Sequence, residues 1–442
     1  MHVAIITAGG AGMFCGSCMH DNTWARALRD AGHDVTLIPT YTPIRVDEED
    51  LSSRRVFFGG INVYLEHKSK LWRTLPRWMT KWVDRPSLIR FATRFGVSND
   101  AAELGELTLD MLDGERGSQR RDVEELAAFI ANDLKPDVVC FSNALLAGAV
   151  KSLREKFVGR IFCTLQGDDI FLDGLSSEHR EGAIDRISKR AADFDGFLVH
   201  SEYYRDHMSR MLRLPVEKFA RIPLGIDFTG FSACARPRAE DDFRIGYFAR
   251  VCPEKGLHVL VEAVRKVRIE HPQVKLVAGG YLGTRDAGYF DKVRKDVRDL
   301  GDAFEYIGSP SEQADKVSFL QSLDVLSVPA PYKEPKGIYV LEALACGVPV
   351  VQPAHGAYPE MVAATQGGLL FEPGNVDDLA ENLCRLIFDS SKRDELIAQG
   401  SSLVRECYSL KAMTNATVSA FTAFPHNATN VISADPDRQE TP

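Results

Sequence analysis

Residues 2–38 read HVAIITAGGAGMFCGSCMHDNTWARALRDAGHDVTLI, and this stretch decides the fold class. His2 to Thr7 is an apolar run of strand length, and Ala8 to Ser17 is a glycine-rich turn. Asp21 to Ala31 has helical spacing and is closed by Gly32, after which Asp34 to Ile38 reads as a second strand. A strand, a turn, a helix and a strand make a βαβ unit, the building block of parallel sheets with helices on both faces.

The alternation continues outward from that unit. Strands are expected at Val138–Phe141, Arg160–Thr164 and Gly196–His200, and the stretch Arg221 to Asp227 closes a first block. The region at about 42–134 is less regular and reads as an insertion. Residues 235–242 are polar, with Arg236-Pro237-Arg238, and read as a linker. A second alternation follows, with strands expected at Arg244–Ala249, Val274–Ala278, Phe304–Tyr306, Val325–Val328 and Val348–Gln352, and helices at Leu257–Glu270 and Phe290–Leu300. The chain is therefore expected to be α/β, with two doubly wound Rossmann-like domains facing an interdomain cleft. The expected domains are 1–234 and 243–408. A C-terminal helix at 409–424 should pack back on the first domain, and 425–442 should be a disordered tail.

Composition narrows the function classes. The hydrophobic fraction of 45% in 442 residues suits a protein with ordinary cores. No apolar run reaches the ~18 residues of a membrane-spanning helix. The chain enters its first strand without a basic leader, so a cytoplasmic protein is expected. A net charge of −9 speaks against nucleic-acid binding. Nine cysteines, an odd number spread along the chain, do not form a secreted disulfide framework.

Three segments carry candidate chemistry. The first is the turn Gly9-Gly10-Ala11-Gly12-Met13-Phe14-Cys15-Gly16, where backbone N–H groups can approach a phosphate. It fails the dinucleotide fingerprint. With Gly10 and Gly12 as the first two glycines the third falls on Cys15, and the second strand ends Ile38-Pro39-Thr40 without the ribose-binding acid. The second segment is Gly246 to Gly256, which puts Arg250 and Lys255 on one turn before a helix. Two fixed cations there would stabilise a departing diphosphate most in the transition state.

The third segment is Glu334-Pro335-Lys336-Gly337-Ile338-Tyr339-Val340-Leu341-Glu342, running on to Val350. Glu334 lies in a loop and Glu342 in the following helix. A fully helical span between them would measure ~12 Å, the scale of a nucleotide sugar from sugar ring to ribose. Carboxylates suit vicinal hydroxyls because they accept two hydrogen bonds. Gly337 and Ile338 would offer N–H groups at the helix start to the diphosphate between.

Together these segments resemble glycosyltransferase family 4, the retaining GT-B group also called glycosyl transferases group 1. The Glu334–Glu342 pair, the Arg250/Lys255-Gly256 turn and the glycine-rich first loop carry the resemblance. So do Pro223-Leu224-Gly225-Ile226-Asp227, Val277-Ala278-Gly279-Gly280 and Gly356-Ala357-Tyr358-Pro359-Glu360. It covers about residues 2–40 and 190–390. It implies a retaining hexosyltransferase that uses a nucleotide-sugar donor of UDP or GDP type and needs neither cofactor nor metal. The acceptor would be a glycan, a lipid or a small molecule. By the same resemblance Glu334 contacts the donor sugar, Glu342 the ribose, and Arg250 and Lys255 the diphosphate. Gly337, Ile338 and Tyr339 join the donor site, with Gly12 and Gly16 approaching the diphosphate from the first domain. The first domain is then the acceptor side and the second the donor side. A GT-B-shaped sugar-nucleotide epimerase and a non-catalytic sugar-nucleotide binder are the alternatives.

Many relatives place a histidine near the transferred sugar. Here the strand ends Thr164-Leu165-Gln166-Gly167-Asp168-Asp169, so Gln166 stands in that place and cannot act as a base. Asp168 and Asp169 are candidates to face the acceptor, or simply to cap the next helix. Asp193-Phe194-Asp195 looks like a metal-binding pair but precedes a strand, and reads as structural. Cys15-Gly16-Ser17-Cys18, near a helix N-terminus that favours the thiolate, leaves a redox or metal role open; with too few ligands for a zinc site of its own, it reads as a small-residue turn.

The segment Lys68 to Arg94 carries eight basic residues against Asp84, interleaved with Trp72, Trp78 and Trp82. That composition suits peripheral contact with an anionic membrane. It suits rather better an insertion packed on the first domain with solvated cations, since Pro76 and Pro86 interrupt any long helix. Each basic residue near an anionic surface is worth ~1 kcal/mol, and Trp favours the interface. Liposome flotation should therefore show weak binding to anionic vesicles that fades with salt, as the Debye length falls from ~10 Å at 0.1 M to ~3 Å at 1 M. Recovery in the soluble fraction under every condition would return the segment to a packed insertion.

Overall fold

The computed structural model describes residues 1–9, 16–44, 46, 49–53, 57, 101–233, 243–310 and 312–426. Gly12, Cys15, the Lys68–Arg94 segment, the 235–242 linker and the tail from 427 lie outside the described residues. Packing divides the chain into two units. The first holds Met1–Val199, Arg205–Arg221 and the chain from Thr417. The second holds His200–Tyr204 and Ile222–Ala416.

The first unit is built on a parallel sheet of β1 (His2–Thr7), β2 (Asp34–Pro39), β3 (Val138–Phe141), β4 (Arg160–Thr164), β5 (Gly196–Val199) and β6 (Phe219–Arg221). Their order is β2-β1-β3-β4-β5-β6, with Ile5 paired to Leu37 on one side and to Cys140 on the other. Strands buried on both faces read as unbroken apolar runs, and all of β3 and β5 is buried. The connecting helices are α1 (Gly16–Asp30), α2 (Ala101–Asp113), α3 (Arg120–Ala128), α4 (Val150–Arg154), α5 (Asp168–Asp173), α6 (Ser177–Arg190) and α7 (Glu202–Leu212).

In this unit two elements stand apart from expectation. Helix α1 begins at Gly16 and not at Asp21, because its buried face carries His20, Asp21 and Asn22, polar residues that hide the helical period. Strand β6 was unforeseen. It has three residues, only Phe219 of them buried, so neither length nor pattern reveals it. The Asp193-Phe194-Asp195 segment has a structural role. The Asp195 carboxylate accepts from Arg154 Nη2 at 2.8 Å and from the Ile161 N–H at 2.7 Å.

The second unit repeats the plan with β7 (Phe243–Phe248), β8 (Val274–Gly279), β9 (Phe304–Tyr306), β10 (Val325–Leu326), β11 (Val350–Pro353) and β12 (Gly368–Phe371), in the order β12-β11-β10-β7-β8-β9 and parallel throughout. Its helices are α8 (Leu257–Glu270), α9 (Ala287–Asp296), α10 (Gln313–Gln321), α11 (Ile338–Ala345), α12 (Tyr358–Thr365), α13 (Val376–Phe388) and α14 (Ser390–Cys407). Leu224, Ile226 and Phe231 join this unit's core, so it takes up the chain ahead of the 235–242 linker. Strand β10 is shorter than expected because the Val328 N–H donates to the Gln352 side chain at 3.2 Å and not to a strand neighbour. The last helix, α15 (Leu410–Ala423), ends in the first unit. There Trp24 Nε1 donates to Thr417 Oγ1 at 3.0 Å, and Phe421 lies 5.1 Å from the Phe162 ring.

The turn from β7 into α8 depends on Gly256. Its φ is +72°, and a Cβ there would stand 2.0 Å from the Pro329 carbonyl oxygen. Gly230 has a similar φ of +80° with open space around it. Gly230→Ala should therefore cost only the left-handed penalty, about 1–2 kcal/mol. Gly256→Ala should add a backbone clash and exceed about 3 kcal/mol. Urea unfolding of the two variants measures the difference, and equal midpoints would contradict the clash.

Candidate functional site

Strands β8 and β9 run off one side of β7, and the chain then returns to lay β10 on the other side. The loops leaving β7 and β10 diverge at that point, and open α/β sheets bind ligands in the crevice beyond such strand ends. The β7 loop carries Arg250 and Lys255, and the β10 loop carries Glu334. Lys255 Nζ forms an ion pair with Glu334 Oε2. The same oxygen accepts from the Tyr339 hydroxyl at 3.3 Å, and Oε1 accepts from the Lys336 N–H at 3.3 Å. The Tyr339 hydroxyl also meets the Tyr358 hydroxyl at 2.5 Å.

The backbone of Glu334 is held from a second direction. The turn between β11 and α12 donates its Ala357 N–H to the Glu334 carbonyl at 2.8 Å. Gly356, with φ +63°, lies so close that a Cβ would stand 2.6 Å from that oxygen. Burial pushes the Glu334 carboxyl up. The Lys255 ammonium and the hydrogen bonds from Lys255 and Lys336 outweigh that, and hold it below the usual carboxylate range. A depressed carboxyl contributes stability that is present above the ordinary carboxylate pKa and lost as pH falls through the lowered one, so the pair persists at neutral pH and dissolves only in acid.

Glu342, on α11, is also buried and also paired. Lys316 Nζ of α10 lies 2.8 Å from its Oε1, and 6.0 Å from the Phe231 ring centre. Gly337 caps α11 with φ +67°, and Val340 is the first residue whose N–H reaches back to the Gly337 carbonyl. The N–H groups of Ile338 and Tyr339 thus lie at the helix start, where no partner exists inside a helix. Arg250 is half-exposed and turns to its own loop. Its Nε donates to Cys252 Sγ at 3.3 Å, and its Nη2 lies 3.8 Å from Glu254. The structure thus joins Lys255, Glu334 and Tyr339 directly. Glu342 sits on its own lysine and Arg250 stays on its own turn.

The first unit has its own switch point, between β1 and β3. A cavity of about 150 Å³ lies there, lined by residues that include Thr7, Gly9, Ser17, Ser142, Asn143, Gln166, Asp168 and Phe171. Gln166 spends its amide protons on Asp21 Oδ1 at 2.8 Å and on the Ser142 carbonyl at 3.0 Å. Asp21 Oδ2 also takes the Thr7 hydroxyl at 2.7 Å. Asp168 accepts the Ala144 and Gln166 N–H groups at 2.6 and 2.9 Å. Burial still pushes its carboxyl up to about 6. Asp169 is buried 3.5 Å from His207 Nε2. Gly16 opens α1, and among the described residues none approaches its Cβ position within 4 Å. Among the described residues of the first loop it is Gly9 that needs to be glycine, with φ +92° and a Cβ position 2.0 Å from the Thr42 carbonyl.

Sequence reasoning missed Lys316, which belongs to no motif and lies on a different helix from its partner. Tyr358 and Gly356 were visible only as part of the Gly356–Glu360 segment, without a role. The adjacent glycines Gly9 and Gly10 were the available signal for the tight first turn.

Comparison with known proteins bears on the fold and on the second unit's segment. The family model for glycosyl transferases group 1 matches residues 235–402. A GDP-mannose-dependent monoacylated alpha-(1-6)-phosphatidylinositol monomannoside mannosyltransferase of Corynebacterium glutamicum is 28% identical, over 44% of this chain and 54% of that protein. A D-inositol 3-phosphate glycosyltransferase of Stackebrandtia nassauensis is 30% identical, over 47% of this chain and 49% of that protein. The chain spans about half the length of these curated relatives. The solved structure of Anabaena HepE with UDP superposes with a TM-score of 0.67 at 15% identity, covering 96% of this chain and all of that one. Sucrose-phosphate synthase from Thermosynechococcus elongatus gives 0.69 at 18% identity, over 95% of this chain and 98% of that one. The two doubly wound units have the GT-B glycosyltransferase fold, and the segment matched by glycosyl transferases group 1 holds Arg250, Lys255, Glu334 and Glu342.

Proposed function

We propose that the protein is a retaining, metal-independent glycosyltransferase that moves a hexose from a nucleoside-diphosphate sugar to a glycan, lipid-linked or small-molecule acceptor. The observation that carries this reading is the meeting of Lys255 and Glu334 beyond the ends of two neighbouring strands. Lys255 and Arg250 take the diphosphate, helped by the N–H groups of Gly337 and Ile338. Glu334 receives the sugar hydroxyls and Glu342, steadied by Lys316, receives the ribose. Tyr339 reaches the sugar end through Glu334. The leaving phosphate, still held by Lys255, takes the acceptor proton on the same face. No base is then needed from Gln166, whose amide is committed to Asp21 and Ser142. Asp168 and Asp169 stand on the acceptor side. The names of the relatives favour GDP-mannose among donors, and the fold neighbour bound to UDP keeps UDP-sugars in the set. Thermal-shift screening against a panel of nucleotide sugars selects the donor, because a ligand at many times its Kd raises stability. No stabilisation by any of them would reject the reading.

Lys255→Ala and Arg250→Ala should each lower kcat/KM by at least ~10²-fold, the scale of a lost transition-state charge contact, while both variants stay folded. Near-normal turnover in either would remove that residue from the phosphate site.

Glu334→Gln leaves Lys255 without its carboxylate, so calorimetry should show nucleoside-diphosphate affinity kept or raised while the added affinity from the sugar disappears. Glu342→Gln and Lys316→Met should instead weaken the nucleoside diphosphate itself, by about 10-fold. Equal weakening by all three changes would reverse or reject this orientation of the donor.

A further inference from the structure

We infer that Tyr358 is a positioning residue for Glu334, acting through the hydroxyl of Tyr339. The inference rests on the reading above, in which Glu334 is the carboxylate that meets the donor sugar. Each phenol carries a single proton. Glu334, held ionised by Lys255, can only accept. Tyr339, 3.3 Å from Oε2, therefore gives its proton to Glu334. Its oxygen is then free only to accept from Tyr358, 2.5 Å away, so Tyr358 must donate. The two phenols form a one-way relay, Tyr358 to Tyr339 to Glu334, with its direction set by the charge at the end.

The surroundings keep that direction fixed. Tyr358 is fully buried, so no bulk water can replace its proton. Burial raises both phenols well above their ordinary range, so neither ionises near neutrality. Tyr358 opens α12, directly after the Gly356-Ala357 turn that grips the Glu334 backbone. One turn thus seats the glutamate and aims the hydroxyl that orients it. Oε2 already serves Lys255 and Tyr339, whereas Oε1 has the long contact to the Lys336 N–H. The relay therefore leaves Oε1 as the oxygen that accepts from a sugar hydroxyl. Among the described residues, the charged and titratable groups bonded to Glu334 or relayed to it are Lys255 from the β7 loop, Lys336 from its own loop, Tyr339 of α11 and Tyr358 of α12.

Carbon-13 NMR of carboxyl-labelled glutamate in the full chain tests this without any ligand, the Glu334 signal being assigned by its loss in Glu334→Gln. Tyr358→Phe should raise the Glu334 midpoint by up to about half a pH unit, since weakening a hydrogen bond to the charged form favours protonation. Tyr339→Phe should raise it at least as far, and Tyr339→Phe/Tyr358→Phe no further than Tyr339→Phe alone. An unmoved midpoint in Tyr358→Phe would overturn the inference, as would a double variant whose shift is the sum of the single shifts. Calorimetry adds a functional readout with UDP-glucose against UDP and GDP-mannose against GDP. Tyr358→Phe should weaken the nucleotide sugar by about 3- to 10-fold with the nucleoside diphosphate unchanged. Equal loss for both, with a lowered melting temperature, would mark a packing role and also overturn it. If the wild type binds neither sugar nucleotide while the NMR shifts appear, the donor reading fails and the relay stands.

Discussion

Lys255 and Glu334 touch because β7 and β10 are neighbours in the sheet, although β8 and β9 separate them along the chain. Everything else at the site follows from that adjacency. The β7 loop can deliver a cation there only if it bends back over the strand ends, and Gly256 provides the bend by packing against the Pro329 carbonyl. The β10 loop can deliver a carboxylate only if it leaves the sheet early, and the Gln352 side chain ends the strand by taking the Val328 N–H. A buried carboxylate beside a single lysine would still be poorly fixed. The Tyr339 hydroxyl and the Gly356 turn supply the remaining constraints.

Charge is managed locally. Each of the two buried glutamates has its own lysine, Lys255 for Glu334 and Lys316 for Glu342. Burying an ion costs several kcal/mol unless a partner and further hydrogen bonds offset the loss of water. The second unit meets that cost twice, in the loop before α11 and within α11 itself. A ligand rich in hydroxyls and phosphates can exchange with these lysines and phenols without leaving a charge unpaired. The first unit handles Asp21 differently, with hydrogen bonds from the neutral groups of Thr7 and Gln166 and with His20 Nδ1 3.8 Å from the carboxylate.

Much of this was legible in the sequence. The apolar runs of β1, β3 and β4 gave their strands directly, since a parallel strand buried on both faces has no polar alternation to misread. Glu334 in a loop and Glu342 in a helix could be placed from Pro335, Gly337 and the apolar run that follows. Other features were hidden for physical reasons. Helix α1 buries Asp21, bonded to Thr7 and Gln166, and Asn22, bonded to the backbone of Glu49 and Leu51, so its true start carries no apolar signal. The link from Lys316 to Glu342 joins two helices through space, and no local pattern encodes it. The hydroxyl of Tyr358 has meaning only once α12 is known to sit against the Glu334 loop.

The last helix has a consequence for how the chain comes to be folded. Trp24, in the first helix, is covered by Thr417 and Phe421, and Phe162 by Phe421 and Phe424. The first unit is thus assembled from both ends of the described chain, with the second unit encoded between them. During synthesis the first core cannot close until the segment carrying Phe421 and Phe424 has left the ribosome, by which time the whole second unit is already available to fold. No single cut separates the two units as intact pieces. An isolated N-terminal fragment would expose Trp24 and Phe162, and an isolated C-terminal fragment would carry an aromatic helix end with nothing to cover.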